Sequence, residues 1–192
     1  ISFQVDRACV LFSDIVSFTP MCSNMTAKQI MNTLNNLFTE FDTGLANYQR
    51  VTKMKTIGDA YVCAAGIFEH DGPLEEACKE IVLFAMQMQE IIPKVNQKLN
   101  TSIRMRIGIH TDGPLICGVL GKEKPLFEGI GNVVTLAEDL EAAGRPDNIH
   151  VAKVTVDLIK SLNLEIEERG DDVTVHGIDP PTYTILCRRE KH

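Results

Sequence analysis

Tryptophan is absent from the 192-residue chain, and only three tyrosines and eight phenylalanines supply aromatic surface. Any core must be packed from Ile, Leu, Val and Met, and a 44% hydrophobic content is enough to build one. No apolar run approaches the ~20 residues that cross a bilayer. Basic residues are outnumbered, 19 Lys and Arg against 26 Asp and Glu, and a net charge of −7 argues against non-specific nucleic-acid binding. An anionic substrate would then need a metal ion to bring it in. The six cysteines (Cys9, Cys22, Cys63, Cys78, Cys117, Cys187) form no C-x-x-C pair and have no histidine at zinc spacing. Apolar settings such as "RACVLF" and "YVCAAG" read as buried, reduced thiols of a cytosolic domain. Linkers, repeats and low-complexity stretches are missing too, so residues 1–192 read as a single domain. The chain opens at Ile1 without a signal-peptide pattern. The expectation is a cytoplasmic domain cut from a longer protein, whose other parts are free to cross a membrane.

What is present is a regular alternation of elements. "ACVLFS" (8–13) reads as a buried strand. A helix follows, N-capped by Thr26, with apolar residues at 30, 31, 34, 37, 38, 41 and 45. "QRVTKMKTIGDAYVCAAGI" reads as two strands joined by a tight turn at Gly58-Asp59. A second helix spans Leu74–Leu99, interrupted or kinked at Pro93. "SIRMRIGIHT" alternates as a half-buried strand, and "PLICGVLG" is another. "GNVVTLAEDLEAAGRP" is a helix stopped by Gly144. A short strand ("NIHVAK"), a short helix ("VTVDLIKSL") and two or three tail strands complete the chain. The order βααββαβ with extra C-terminal strands predicts an α+β, ferredoxin-like sandwich, its helices packed on a mostly antiparallel sheet.

Two carboxylates stand out, Asp14 ending the first strand and Asp59 in the turn. If their strands are neighbours, both emerge at one edge of the sheet. Such a pair can hold Mg²⁺ or Mn²⁺ and leave coordination positions open for phosphate oxygens. Asp is also an ordinary turn and strand-end residue, so residue types alone leave both readings open.

Four motifs in order narrow this: "VLFSDIVSFT", "KMKTIGDAYV", "RMRIGIHTDGPLICGVLG" and "FEGIGNVVTLAEDLEAAG". Together they resemble the catalytic domain of class III adenylyl and guanylyl cyclases over roughly residues 8–160. The resemblance implies two such domains, identical or different, pairing head to tail with active sites at their interface. It implies metal ligation of two ions by Asp14, Asp59 and the backbone carbonyl of Ile15, and a phosphate contact from Arg106. Phe18 and Thr19 match the loop that cradles the triphosphate. Lys55 and Glu128 match the two purine-reading positions. A Lys can donate to adenine N1, whereas guanine N1 wants a carboxylate, so this pair favours ATP over GTP. The activity implied is cyclisation of ATP to cyclic AMP and pyrophosphate.

The chain also departs from the family pattern. Where the purine-reading half carries an Asn and an Arg on its helix, this sequence has Thr135 and Asp139. A late phosphate-gripping Lys is missing from "VTVHGIDPPTY". Asp139 reverses the charge of a transition-state contact, whose loss costs on the order of 10²–10³ in rate. The chain therefore resembles the metal-binding half of heterodimeric cyclases. Expected alternatives are a catalytically silent regulatory domain that needs a purine-reading partner, or a guanylyl cyclase. His110 reads as a strand-end residue with a structural hydrogen bond, "KEKP" and "RGDD" as solvated turns, and "LFAMQMQEII" as core or dimer packing.

Overall fold

The computed structural model describes residues 1–170 and 173–187. Asp171 and Asp172, half of the RGDD segment, lie outside the described residues. The longest apolar runs become the middle of a seven-stranded sheet. Its strands are β2 (Ala8–Ile15), β3 (Val51–Ile57), β4 (Ala60–Ala65), β5 (Met105–Asp112), β8 (Ile149–Ala152), β9 (Ile166–Glu168) and β10 (Thr182–Ile185). They lie in the order β3-β4-β2-β5-β8-β10-β9, antiparallel except for β5 with β8. A smaller sheet orders β1 (Ser2–Val5), β6 (Leu115–Leu120) and β7 (Leu126–Ile130) as β1-β6-β7.

Helices α2 (Ala27–Leu45), α3 (Leu74–Leu99) and α5 (Lys153–Leu158) cover one face of the large sheet. There Leu37, Phe41, Ile81, Phe84 and Met88 pack on Cys9, Leu11, Tyr61 and Ile107. Helix α4 (Asn132–Ala142) and the small sheet cover the other face, against Val10, Phe12, Val62 and Ala64. The ferredoxin-like core is thus β2-α2-β3-β4-α3-β5, and a five-residue helix α1 (Phe18–Cys22) follows β2.

Local signals account for most boundaries. Thr26 caps α2 in a reciprocal box, its hydroxyl accepting from the Gln29 N–H while the Gln29 side chain accepts from the Thr26 N–H. The turn between β3 and β4 consists of Gly58, at φ 59°, and Asp59. Helix α3 runs unbroken through Pro93, so the expected interruption is absent. Strand β5 is buried almost throughout rather than half-buried, because α4 and α3 cover both its faces. The tail contributes two strands, β9 and β10. All six thiols are free, four of them buried, and the Sγ atoms of Cys9 and Cys78 lie 3.5 Å apart.

The seating of α4 is unusually tight. A Cβ at Gly108 of β5 would lie 2.2 Å from the Ala137 carbonyl oxygen and 2.3 Å from the Glu141 nitrogen. Both are backbone atoms, so relief requires moving the helix. Gly108→Ala is expected to destabilise the fold by about 3 kcal/mol, the upper range for overpacking. A lowered urea midpoint with an unchanged m-value would register it; wild-type stability would mean that α4 is not seated there.

Candidate active site

The β2–β5 ladder sets Asp14 directly opposite Arg106. Directly opposed residues share a face, and this face carries Gly108 and therefore lies under α4. Asp59 reaches the same place from the β3–β4 turn, its Oδ2 accepting the Ile15 N–H at 3.2 Å. From α4, Glu141 arrives with its side chain only 5% exposed, its Oε1 accepting from Arg106 Nε at 2.8 Å.

Three carboxylates thus lie close together, and one of them, Glu141, is paired with Arg106. Burial raises the Asp14 carboxyl, and a hydrogen bond with Asp59 and the charges of Asp59 and Glu141 raise it further. The Ile15 N–H opposes the shift, and the result is about 7 against an ordinary 3.8. Burial likewise raises Glu141, against the pull of Arg106. A proton at Asp14 relieves a repulsion that a cation would relieve better.

Among the described residues no three His, Cys, Asp or Glu side chains form a ready-made metal cluster. The available set is two carboxylates with a backbone carbonyl beside them. These hard oxygen donors fit Mg²⁺ or Mn²⁺, which bind through few protein ligands and keep positions for phosphate oxygens.

The remaining predicted residues fall in separate places. Lys55 on β3 and Glu128 on β7 meet in a short ion pair, each about a quarter exposed. Glu128 also accepts from the Gly129 N–H at 3.3 Å. Phe18 and Thr19 open α1, just after Ser17 at φ 55°; Phe18 packs against the core and Thr19 is exposed. Thr135 and Asp139 lie one turn apart on α4, away from its buried stripe. Among the described residues neither side chain bonds to the other site residues.

His110 departs from expectation. It sits within β5 opposite Val10, and its buried Nδ1 has no hydrogen-bond partner among the described residues. Burial lowers its pKa, opposed by the Asp112 carboxylate 3.9 Å from Nε2. Glu141 is the residue that sequence reasoning passed over. Its signal was an acidic residue continuing the buried stripe Val133, Leu136, Ala137, Leu140.

The family profile described as "Adenylate and Guanylate cyclase catalytic domain" matches residues 2–187. The chain belongs to that family. Over 157 residues it is 41% identical to guanylate cyclase soluble subunit alpha-2 of Homo sapiens, covering 82% of this chain and 21% of that protein. It is 38% identical over 170 residues to a membrane guanylyl cyclase of Dictyostelium discoideum, covering 88% of this chain and 11% of that protein. The domain therefore spans about a fifth or less of these two relatives. Among solved structures, the guanylate cyclase domain of RhGC from Catenaria anguillulae in complex with GTP superposes with a TM-score of 0.85. Identity there is 31%, with coverage of 97% and 100% of the two chains. The adenylyl cyclase CyaB from P. aeruginosa also scores 0.85 at 23% identity, a likeness of fold alone.

The raised Asp14 carboxyl couples stability to pH. A carboxyl raised from 3.8 to about 7 on folding contributes stability that is full below pH 4 and lost as pH climbs through about 7. A bound cation needs the deprotonated form, so it restores what the pH rise removes. The thermal midpoint gained with Mn²⁺ should therefore grow from pH 6 to pH 8. A hundredfold excess over Kd should stabilise by about 2.7 kcal/mol. Asp14→Asn should remove most of the gain, and a gain that is flat with pH would contradict the reading of Asp14.

Proposed function

We propose that the domain is the metal- and phosphate-holding half of a nucleotide cyclase, using ATP in preference to GTP and completed by a purine-reading partner domain. The observation that carries this reading is the convergence of Asp14, Asp59 and Arg106 on one face, with the Ile15 backbone beside them. Asp14, Asp59 and the Ile15 carbonyl would hold two divalent ions, which would neutralise phosphate charge and acidify the attacking ribose 3′-hydroxyl. Arg106 binds the triphosphate, and the turn into α1 at Phe18 and Thr19 orients it.

Support for a partner comes from the small sheet. The cross-strand pairs Ile116–Ile130, Gly118–Glu128 and Leu120–Leu126 share one face. Leu126 is 70% exposed, Ile130 59% and Leu120 56%. The Lys55–Glu128 pair therefore sits amid apolar side chains that a second domain would cover. Thr135 and Asp139 argue that two copies of this chain make a poor pair, since neither copy brings the Asn and Arg.

Base choice rests on side chains. A rhodopsin-guanylyl cyclase catalytic core with converted specificity, 30% identical at a TM-score of 0.86, was crystallised with ATPαS. A scaffold like this one thus carries either base. Where this chain itself supplies the purine-reading half, as in a pair of identical copies, Lys55 donating to adenine N1 and Glu128 accepting from the adenine amino group favour ATP. GTP is the second reading, favoured by the guanylyl cyclase names of the relatives.

The test measures cyclic nucleotide from the purified domain with Mn²⁺ and either ATP or GTP, with and without a partner domain carrying the Asn and Arg. Activity is expected to rise on the order of 10²–10³ with the partner. In the domain alone, where a second copy supplies the purine-reading half, ATP should outcompete GTP and Lys55→Glu should weaken ATP use. Equal activity of the domain alone would sink the partner requirement, and no product under either condition would sink the enzymatic reading.

A further inference from the structure

We propose that Glu141 is the positioning residue for Arg106, gripping the guanidinium at Nε so that its two terminal nitrogens face the substrate phosphates. This inference rests on the metal- and phosphate-half reading and adds a residue to it. The grip is side-on: Nε donates to Glu141 Oε1 at 2.8 Å, and among the described residues neither Nη atom forms a hydrogen bond. A guanidinium held at Nε keeps its Nη1–Nη2 edge, the pair of parallel donors that suits a phosphate. The Arg106 side chain is 29% exposed while the Glu141 side chain is 5% exposed, so the arginine is the member of the pair that a ligand can reach.

Backbone packing fixes the grip in place. Gly108 lies two residues along the same face of β5 from Arg106, and a Cβ there would come within 2.9 Å of the Glu141 Cα. Helix α4 is thus pinned to the strand that carries the arginine, and the relation between Glu141 and Arg106 does not depend on a loop.

A purely structural ion pair explains this less well. Glu141 adds negative charge beside Asp14 and Asp59, and its charge reaches both. A buried ion pair is weak evidence of stability, and an apolar residue would seal the same spot without repelling a polyphosphate. The carboxylate suits this position if its work is done through Arg106.

The experiment is a double-mutant cycle on the whole chain. Isothermal titration would measure binding of inorganic tripolyphosphate in saturating Mn²⁺ to wild type, Glu141→Gln, Arg106→Gln and the double variant. Glu141→Gln is expected to weaken binding about tenfold and the double variant to bind no worse than Arg106→Gln alone. Thermal midpoints and near-ultraviolet circular dichroism check folding. Should Glu141→Gln fail to fold, Glu141→Asp takes its place, keeping the charge but withdrawing it by one methylene, with the same non-additivity expected. Unchanged binding, or losses that add, would overturn the assignment. Absence of tripolyphosphate binding to wild type would overturn it together with the phosphate site. A cycle that closes as expected while no cyclic nucleotide forms would count against the proposed activity alone.

Discussion

The antiparallel pairing of β2 with β5 is the constraint on which the candidate site depends. Its register aligns eight residue pairs, from Ala8 with Asp112 to Ile15 with Met105, and Asp14 meets Arg106 next to one end. A slip of one residue would turn Asp14 into the α2–α3 core and Val10 and Phe12 out of the other. The buried apolar side chains on both faces of β2 forbid that slip. Hydrophobic packing along the strand therefore aims a carboxylate at its tip.

Around that tip the chain gathers charge that it leaves unbalanced. Asp14, Asp59 and Glu141 stand within reach of one another's charge while only Glu141 is paired with the Arg106 guanidinium, in a protein that already carries a net charge of −7. An arrangement chosen for stability alone would pair each buried charge or discard it. Here the surplus is moderated by the Ile15 N–H and by a proton. That surplus suits the proposed site, which would take a cation and a polyanion together.

The parts of the fold that were legible in sequence are those whose local signals agree with their tertiary setting. Strands β2 and β4 are short apolar runs, α2 has its capping box, and the Gly58-Asp59 turn carries the residue types its geometry demands. Strands β1 and β7 were not legible: "SFQV" and "LFEGI" are short and partly exposed, and they are strands only because β6 pairs with both. Strand β5 misled in the opposite direction, since its alternation reports Arg106 and His110, polar residues that α4 nonetheless covers. In the site, Asp14 and Asp59 were readable because strand ends and turns advertise themselves. Glu141 was not, because its meaning depends on a helix resting on a glycine two residues from the arginine it holds.

The Lys55–Glu128 pair has a consequence for selectivity. In the resting domain each charge already has a partner, so neither waits for ligand in a state of unmet need. If these residues read the base, an incoming purine must take over both partners in one event. A ring that satisfies only the lysine, or only the glutamate, strands the other charge among the uncovered apolar side chains of β6 and β7. The wrong base then competes against the protein's own contact rather than against water, and discrimination arises from what the pocket gives up.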